Sequence, residues 1–265
     1  MKQRLSSEFI YQLFALLITI ILVHAVYVGV VRPNAEAILQ YQMELQASGE
    51  DFVPDRSIYV VVRDFEQEAC FVLLIWALAI MGYKGRRLIQ EQQILERRLL
   101  EVSEGTSILP QDAREYGRSL EALDEQTQDF LLPRALLAAL QRFASTSSIP
   151  AVSDTIKEQC DGESDRLDSE LSMVRYIAWA IPSIGFIGTV RGIGDALGQA
   201  YKAVEGDITG VTVSLGVAFN STFVALVLSI IIMFALHQLQ LSQERLVQGC
   251  QRYCDRRLIR HLVVH

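Results

Sequence analysis

The chain has 265 residues, 51% of them hydrophobic, and a formal net charge of −7. Its mean hydropathy of +0.25 is too high for an ordinary soluble domain, yet 21% of its residues are charged. Apolar and charged residues must therefore be segregated, as in a membrane protein with polar parts outside the bilayer. The acidic balance excludes a nucleic-acid binder, which needs a basic surface. The four cysteines have no spacing that suggests a disulfide framework.

The first apolar segment covers residues 8–31. It is longer than the roughly 7–15 apolar residues of a signal peptide and matches the roughly 20 residues of a spanning helix. Since no A-x-A cleavage site follows, we predict a retained transmembrane helix. Arg32-Pro33 is expected to end it, because proline disrupts the helical hydrogen-bond ladder. An acidic loop follows, with Glu36, Glu44, Glu50, Asp51 and Asp55.

Three further apolar segments complete a four-helix pattern. The second has a short apolar core, 69–83, and predicts a helix that starts near Ile58 and enters the membrane near Cys70. The third runs from about Tyr176 to Ala200 and the fourth from about Val211 to Leu236. The carboxylates before the second core are expected to be solvated: Asp64, Glu66 and Glu68.

Lysine and arginine set the expected orientation. They cluster before the first segment, after the second and after the fourth, and are sparse in the other two loops. Both termini and residues 84–170 are therefore predicted to be cytoplasmic. The polar region is predicted to be helical, with breaks at Pro110, Pro133 and the loop 145–150, and Pro133 is expected in the first turn of a helix. Beyond residue 238 the fourth helix should continue to about Val264.

The third segment carries small residues on one helix face. Gly185, Gly188 and Gly192 follow helical spacing, and Pro182 leaves the carbonyl of Ala178 without its usual donor and should bend the helix. In lipid, small faces let helix backbones approach closely. Plain helix packing and the closely packed bundle of a channel both explain this pattern.

The fourth segment has a similar face that includes Ala218 and Thr222, with Asn220 and Ser221 beside it. A single membrane threonine usually bonds to its own helix. Thr189 and Thr222, however, both lie on small faces, and we predict that they line an interior surface where water or an ion binds. Neither face has a carboxylate, so either the protein conducts nothing or a partner supplies the acid.

Arg191 is an intramembrane charge, with Asp195 four residues later as its expected partner. It lies about 200° round the helix from Thr189, at 100° per residue. We therefore favour a structural ion pair between neighbouring helices or subunits over a role in the ion path.

Two other kinds of site are unsupported. Cys250, Cys254, His261 and His265 share a helix face, but the outer pair would be roughly 22 Å apart in a straight helix, which excludes one zinc site. We therefore interpret the cysteines as small residues of a packed face. No motif of an enzyme site is present, and the protein is predicted not to be an enzyme.

The block Pro182-Ser-Ile-Gly-Phe-Ile-Gly-Thr-Val-Arg-Gly-Ile, read with Ala218-Phe-Asn-Ser-Thr-Phe-Val-Ala-Leu-Val, resembles the MotA/TolQ/ExbB proton-channel family. The resemblance covers about Arg175 to Gln240. The four-helix layout is more similar to the flagellar-stator branch. Val217 stands where the ExbB and TolQ branch has a glutamate.

The resemblance implies five copies forming a ring in the bacterial inner membrane around two copies of a single-helix partner of the MotB/TolR/ExbD type. The partner's membrane aspartate would bind the ion, a proton or sodium, and no cofactor is expected. Thr189 and Thr222 match the family's threonines and would face that aspartate, assisted by Ser221 and Asn220. The residues expected to shape the packed, partner-facing surface are Pro182, Gly185, Gly188, Gly192 and Ala218.

The sequence thus predicts an all-α membrane protein with four transmembrane helices, long cytoplasmic helical extensions and, through the resemblance, ring formation. Residues 1–83 would hold two peripheral helices and a short periplasmic loop, 84–170 a cytoplasmic helical region, 171–240 two pore-lining helices and 241–265 a cytoplasmic C-terminal helix. The predicted function is the ion-channel subunit of a rotary motor driven by ion-motive force. The alternatives are a non-conducting membrane scaffold that anchors a larger complex and a stand-alone transporter.

Overall fold

The computed structural model describes residues 2–47, 57–97, 99–100 and 106–264, so Glu50, Asp51, Asp55 and His265 lie outside the described part. The described chain is all-helical, and its only β pairing is one bridge, between Ile108 and Leu262. Within these described ranges, four helical spans are long and apolar enough to cross a membrane, which confirms the predicted number. They are Glu8–Leu45, Phe65–Leu95, Ile149–Gly198 and Thr209–His261.

The helices in chain order are α1 (Lys2–Val26), a π-helical turn (Tyr27–Val31), α2 (Arg32–Ala47), α3 (Ile58–Val61), α4 (Phe65–Leu95), α5 (Ala113–Glu121), α6 (Glu125–Gln128), α7 (Leu131–Thr146), α8 (Ile149–Glu170), α9 (Ser172–Gly198), α10 (Ala200–Val204), α11 (Thr209–Arg257) and a 3-10 turn (Ile259–His261).

The first span does not end at Arg32-Pro33. Instead, α1 continues through the π-helical turn into α2. The N–H of Arg32 donates to the carbonyl of Tyr27, five residues back. This wider turn accommodates Pro33, which lacks an N–H and whose ring would clash with the carbonyl four residues before it in a regular α-helix. The prediction of a helix end was wrong, because the hydropathy pattern carries no signal for a π-turn.

The second span is interrupted near its start. The isolated turn α3 is separated from α4 by residues 62–64, so no single helix runs from Ile58 as predicted. Glu66 and Glu68 consequently lie in the first turn of α4. Carboxylates are favoured there by the positive end of the helix dipole.

The chain forms two compact units. Unit 1 comprises Met1–Met81 and Met173–Leu236, and unit 2 comprises Gly82–Ser172 and His237–His265. The apolar stretches of the four spans fall in unit 1. The long helices α4 and α11 each contribute their apolar part to unit 1 and their polar part to unit 2.

The core of unit 2 is built around α7. Its buried face, which includes Leu136, Leu140 and Phe143, belongs to one apolar cluster with Val152 of α8 and Cys250 of α11. Pro133 lies in the first turn of α7, where its missing N–H leaves no internal bond unmade.

The predicted loop 145–150 reduces to two residues. Ser147 takes a left-handed conformation with φ of 50°, which ends α7. Ser148 then caps α8, its hydroxyl accepting from the N–H of Ala151 at 3.4 Å.

The last helix is shorter than predicted. α11 ends at Arg257, and the chain turns back so that the N–H of Ile108 donates to the carbonyl of His261 at 2.7 Å. The N–H of Val263 donates to the carbonyl of Ile108 at 3.1 Å. Leu258 and Leu262 are buried in the core of unit 2, and burying both explains why the chain leaves the helix.

Candidate functional site

The small faces of α9 and α11 pack directly on each other within unit 1. A Cβ added to Gly185 would lie 2.5 Å from the Cβ of Ala225, and one added to Gly188 would lie 2.5 Å from the Cβ of Ser221. At Gly192 it would lie 2.7 Å from the backbone nitrogen of Ala218. The three glycines thus let two backbones approach more closely than any side chain permits. Their contact with a partner stays a prediction.

Thr189 and Thr222 meet across this contact. Their hydroxyl groups are hydrogen-bonded to each other. The Thr189 hydroxyl also lies 3.0 Å from the carbonyl of Ala218 and 3.2 Å from the carbonyl of Gly185. The Thr222 hydroxyl lies 3.4 Å from the same Gly185 carbonyl. The two threonines that the sequence placed on separate small faces therefore form one hydroxyl pair between two backbone carbonyls.

This hydroxyl pair has spare hydrogen-bonding capacity. Each hydroxyl has one proton and two lone pairs. The two hydroxyl protons can form at most two of the hydrogen bonds to the carbonyls and to the facing hydroxyl. The bond between the two hydroxyls uses only one of their four lone pairs. Both side chains are half-buried. The pair can therefore accept a hydrogen bond from water or a protonated acid, or offer oxygen atoms to a cation.

Ser221 and Gln67 form a second, deeper contact. The side-chain amide of Gln67 on α4 donates to the Ser221 hydroxyl and to the carbonyl of Val61, both at 3.3 Å. Ser221 itself donates to the carbonyl of Val217 at 2.8 Å. Both polar side chains are about 1% exposed, whereas Asn220 next to them is half-buried. Ser221 thus ties α11 to α4, a contact that the sequence did not reveal.

Pro182 lies inside α9, where it removes the donor that the Ala178 carbonyl would normally receive. The hydroxyl of Ser229 on α11 donates to that carbonyl at 3.5 Å. A side chain on the neighbouring helix thus replaces the missing backbone donor, which is how proline is tolerated in membrane helices.

Arg191 has a different main partner from the one predicted. Its Nε and Nη2 atoms donate to the two carboxylate oxygens of Glu66 at 2.7 and 2.8 Å, whereas Asp195 lies 3.9 Å away. The side chain of Glu66 is only 11% exposed, so the expectation that it is solvated was wrong. A two-point carboxylate contact outcompetes the looser neighbour on the same helix. The ion pair joins neighbouring helices, α4 and α9.

Glu68 makes a third contact from the same turn of α4. Its carboxylate binds the Nδ1 atom of His24 at 2.7 Å and the guanidinium of Arg32. Its side chain is 12% exposed, so it too is not solvated as expected. The consecutive residues Glu66, Gln67 and Glu68 therefore bind α9, α11 and α1–α2 respectively. We call them the α4 hub.

Within the described chain, neither threonine hydroxyl bonds to a carboxylate; their partners are backbone carbonyls and each other. The residues considered for a zinc site lie in separate environments that do not form a metal site. Cys250 and Cys254 are fully buried free thiols, and the Nδ1 atom of His261 lies 3.2 Å from the carbonyl of Thr106. Within the described ranges, no group of three or more potential ligands surrounds a metal position.

A family model for proton channels matches residues 127–252, from α6 into the polar part of α11. That model describes the MotA/TolQ/ExbB proton channel family, which confirms the resemblance found in the sequence. With its four membrane-capable helices, the protein is a multi-pass membrane protein. The MotA/TolQ/ExbB match contains the glycine face, both threonines and Arg191, whereas the α4 hub lies before it. A comparison with curated proteins finds no match.

Proposed function

We propose that this protein is the ion-channel subunit of a rotary motor driven by ion-motive force, of the stator type. The observation that carries the proposal is the hydroxyl pair Thr189–Thr222 at the α9–α11 contact. It lies inside the region that matches a proton channel family. A pair of hydroxyls with spare lone pairs can relay or coordinate an ion, but it does not take up and release a proton near neutral pH. On this proposal the titrating group comes from another chain.

The partner that fits this requirement is a single membrane helix carrying an aspartate, of the MotB/TolR/ExbD type. The chain's own residues would form one wall of the path, in which the hydroxyl pair accepts a hydrogen bond from the protonated aspartate or from water. Asn220 and Ser221 add polar atoms beside this wall. The transported ion would be a proton or sodium.

The assembly we propose is a homopentameric ring around two partner helices in the bacterial inner membrane, with both termini cytoplasmic. The orientation is supported by the lysines and arginines that flank the first, second and fourth apolar segments. The glycine face would then have two roles. It packs α9 on α11 within one subunit, and it holds the threonines at a fixed spacing beside the partner.

One observation favours a second candidate, a non-conducting membrane scaffold. The hydroxyl pair is already bonded to itself and to two carbonyls, as it would be if it only joined α9 to α11. The two candidates differ in one measurable property, ion flux through the assembled complex.

The test is ion flux into liposomes containing this protein and a co-expressed single-helix partner, read with a pH-sensitive dye and a sodium-sensitive dye. Thr189→Val and Thr222→Val keep the side-chain volume and remove the hydroxyl, and each should abolish ion-driven activity without preventing assembly. Thr212→Val is the matched control, because Thr212 is exposed in the first turn of α11 and its hydroxyl donates to the carbonyl of Ile208, just before that helix. Unchanged ion flux in both threonine variants would refute the assigned ion path. No ion flux through the unaltered complex would favour the scaffold.

A further inference from the structure

Buried oxygen atoms surround the short segment between α3 and α4, residues 62–64, which we call the α3–α4 break. Within the part of the chain that the structure describes, three buried side-chain oxygens form no hydrogen bond: the Tyr27 hydroxyl, Oδ2 of Asp64 and Oε1 of Gln67. Tyr27 is 3% exposed and Gln67 is 1% exposed. Leaving a buried polar atom unpaired costs free energy, so three such atoms in one region indicate a missing hydrogen-bond partner.

The three oxygens belong to residues that border the same break. Asp64 is its last residue, directly before α4. The side-chain amide of Gln67 donates to the carbonyl of Val61, the last residue of α3, at 3.3 Å. Val62, the first residue of the break, packs against the apolar cluster that contains Tyr27. The unpaired atoms therefore reach the break from the first span, from the break itself and from the first turn of α4.

Asp64 connects the break with the solvent. Its side chain is 15% exposed, so it is not solvated as predicted, and its Oδ1 atom lies 3.6 Å from the Nε atom of Arg63. Glu66 and Glu68 each bind an arginine of another helix, whereas among the described residues no group bonds to the buried Oδ2 atom of Asp64. Asp64 is thus accessible to solvent and keeps one buried oxygen that can accept a hydrogen bond.

Water is the ligand that fits these three atoms. A water molecule donates two hydrogen bonds and also accepts them, and a buried water typically makes roughly three. The oxygens of Asp64 and Gln67 can accept, and the hydroxyl of Tyr27 can donate. A metal ion fits less well, because Arg63 already places a positive charge beside Asp64. In the described ranges, no three histidine, cysteine, aspartate or glutamate side chains are grouped so that they could hold a metal ion.

Buried polar side chains link the break to the α9–α11 contact. The amide of Gln67 also donates to the hydroxyl of Ser221 at 3.3 Å. On the facing helix α9, a Cβ added to Gly188 would lie 2.5 Å from that same hydroxyl oxygen. Ser221 directly precedes Thr222, and Gly188 directly precedes Thr189. The contact of Gln67 therefore lies one residue away from the hydroxyl pair on both helices.

We infer that the α3–α4 break holds ordered water between Asp64, Gln67 and Tyr27, and that Asp64 passes protons through this water toward the hydroxyl pair. The carboxylate takes up a proton from the solvent, and the carboxyl group then donates that proton to the ordered water, which restores the carboxylate. The lysine and arginine pattern puts the break on the periplasmic side. Asp64 is then an entry acid of this chain, distinct from the partner's aspartate. For conduction and orientation, the inference rests on the proposed function.

X-ray footprinting of the full-length protein in lipid nanodiscs tests the water site. Hydroxyl radicals form from the water itself, so a buried side chain is oxidised where water is bound beside it. We expect Tyr27 to be oxidised, and Phe143, which is fully buried in the apolar core of unit 2, to stay unmodified. Gln67→Leu removes one acceptor of the water and should lower Tyr27 oxidation about tenfold. Oxidation of Tyr27 no faster than that of Phe143 would overturn the inference.

Proton flux into liposomes containing the protein and a co-expressed single-helix partner tests the role of Asp64. Asp64→Asn keeps a hydrogen-bonding oxygen but takes up no proton, so Tyr27 oxidation should be unchanged while proton flux falls about tenfold. Asp207→Asn is the matched control, because Asp207 is exposed in the loop between α10 and α11, on the same predicted side of the membrane. Asparagine can still accept from the N–H of Thr209, as Asp207 does at 3.0 Å, so proton flux should not change.

Equal proton flux in the Asp64 and Asp207 variants would overturn the role of Asp64 as an entry acid. A flux of sodium without protons would overturn it as well. Oxidation of Tyr27 is read without any ion flux. Its oxidation in a complex that conducts nothing would therefore support the water site and refute the proposed function, so the two failures are distinguishable.

Discussion

The guanidinium of Arg191 on α9 binds the carboxylate of Glu66 on α4 through two hydrogen bonds, of 2.7 and 2.8 Å. Glu66 is largely buried, whereas Arg191 is 43% exposed. Breaking a buried pair strands its remaining charge, and exposure of one partner reduces that cost. The energetic coupling between Arg191 and Glu66 can therefore be measured by comparing the stability losses of the two single variants with the loss of the double variant.

We predict that Glu66→Gln and Arg191→Gln each destabilise the protein in detergent by roughly 1–3 kcal/mol. The double variant should lose less than the sum, because neither charge is then left alone. Thermal unfolding followed by circular dichroism gives the values. Asp195→Asn removes only the contact at 3.9 Å and should cost less than either single variant. Strictly additive losses would show that the two residues do not act as a pair.

The glycine face gives a second prediction. A Cβ at Gly192 would lie 2.7 Å from the backbone nitrogen of Ala218 and 2.7 Å from the carbonyl oxygen of Ser214. Backbone atoms of a packed helix cannot move aside cheaply, so Gly192→Ala should cost roughly 1–3 kcal/mol, as for overpacked cores.

Gly194→Ala is its control on the same helix, since nothing lies within 4 Å of the new Cβ. That variant should be neutral or stabilising by up to about 1 kcal/mol, because alanine has the higher helix propensity. Thermal unfolding of both variants in the same detergent measures how far each differs in stability from the unaltered protein. Equal effects at Gly192 and Gly194 would contradict the close packing of α9 on α11.

Glu163 gives a prediction about pH. It lies in the polar helix α8, outside the apolar segments, and its side chain is 2% exposed. Burial raises its pKa, but hydrogen bonds from Arg166 and Arg134 outweigh burial and hold the pKa below its usual value. A lowered pKa contributes stability that is fully present above the unfolded-state pKa, about 4.3 for glutamate, and is lost as pH falls through the folded-state pKa.

Glu163→Gln should therefore destabilise unit 2 at pH 7, and the difference from the unaltered protein should shrink as the pH falls below about 5. Chemical unfolding at a series of pH values, followed by the fluorescence of a probe in unit 2, measures that difference. Glu158→Gln, an exposed change on the same helix, should show no such trend. A difference that grows toward acidic pH would reverse the sign and refute the assignment.

The α4 hub gives the last prediction. Glu68 binds both His24 and Arg32, and the Arg32 guanidinium also lies 4.5 Å from the ring centre of Phe65. We expect Glu68→Gln to destabilise more than His24→Gln, because it leaves the half-buried guanidinium of Arg32 without its carboxylate. His24→Gln should lower the stability of the protein less, since the His24 side chain is 58% exposed. Melting temperatures in detergent rank the variants, and a larger loss for His24→Gln than for Glu68→Gln would refute this account.

The sequence predicted the small faces of α9 and α11 and placed Thr189 and Thr222 on them, because helical periodicity determines which residues of one helix share a face. It did not predict the α4 hub. Glu66 is 125 residues from Arg191, and Gln67 is 154 residues from Ser221. Periodicity carries no information about which helices become neighbours. Carboxylates before a short apolar core therefore appeared to be solvated.

The π-helical turn Tyr27–Val31 has a geometric consequence for the hub. His24 and Arg32 are eight residues apart, and in a regular α-helix their side chains would point about 80° apart. A π-turn absorbs roughly one extra residue, or about 100° of rotation, and so reduces that angle to about 20°. Both side chains then reach one carboxylate, that of Glu68. The turn that accommodates Pro33 also sets the rotational phase that allows a histidine and an arginine to share a single acid.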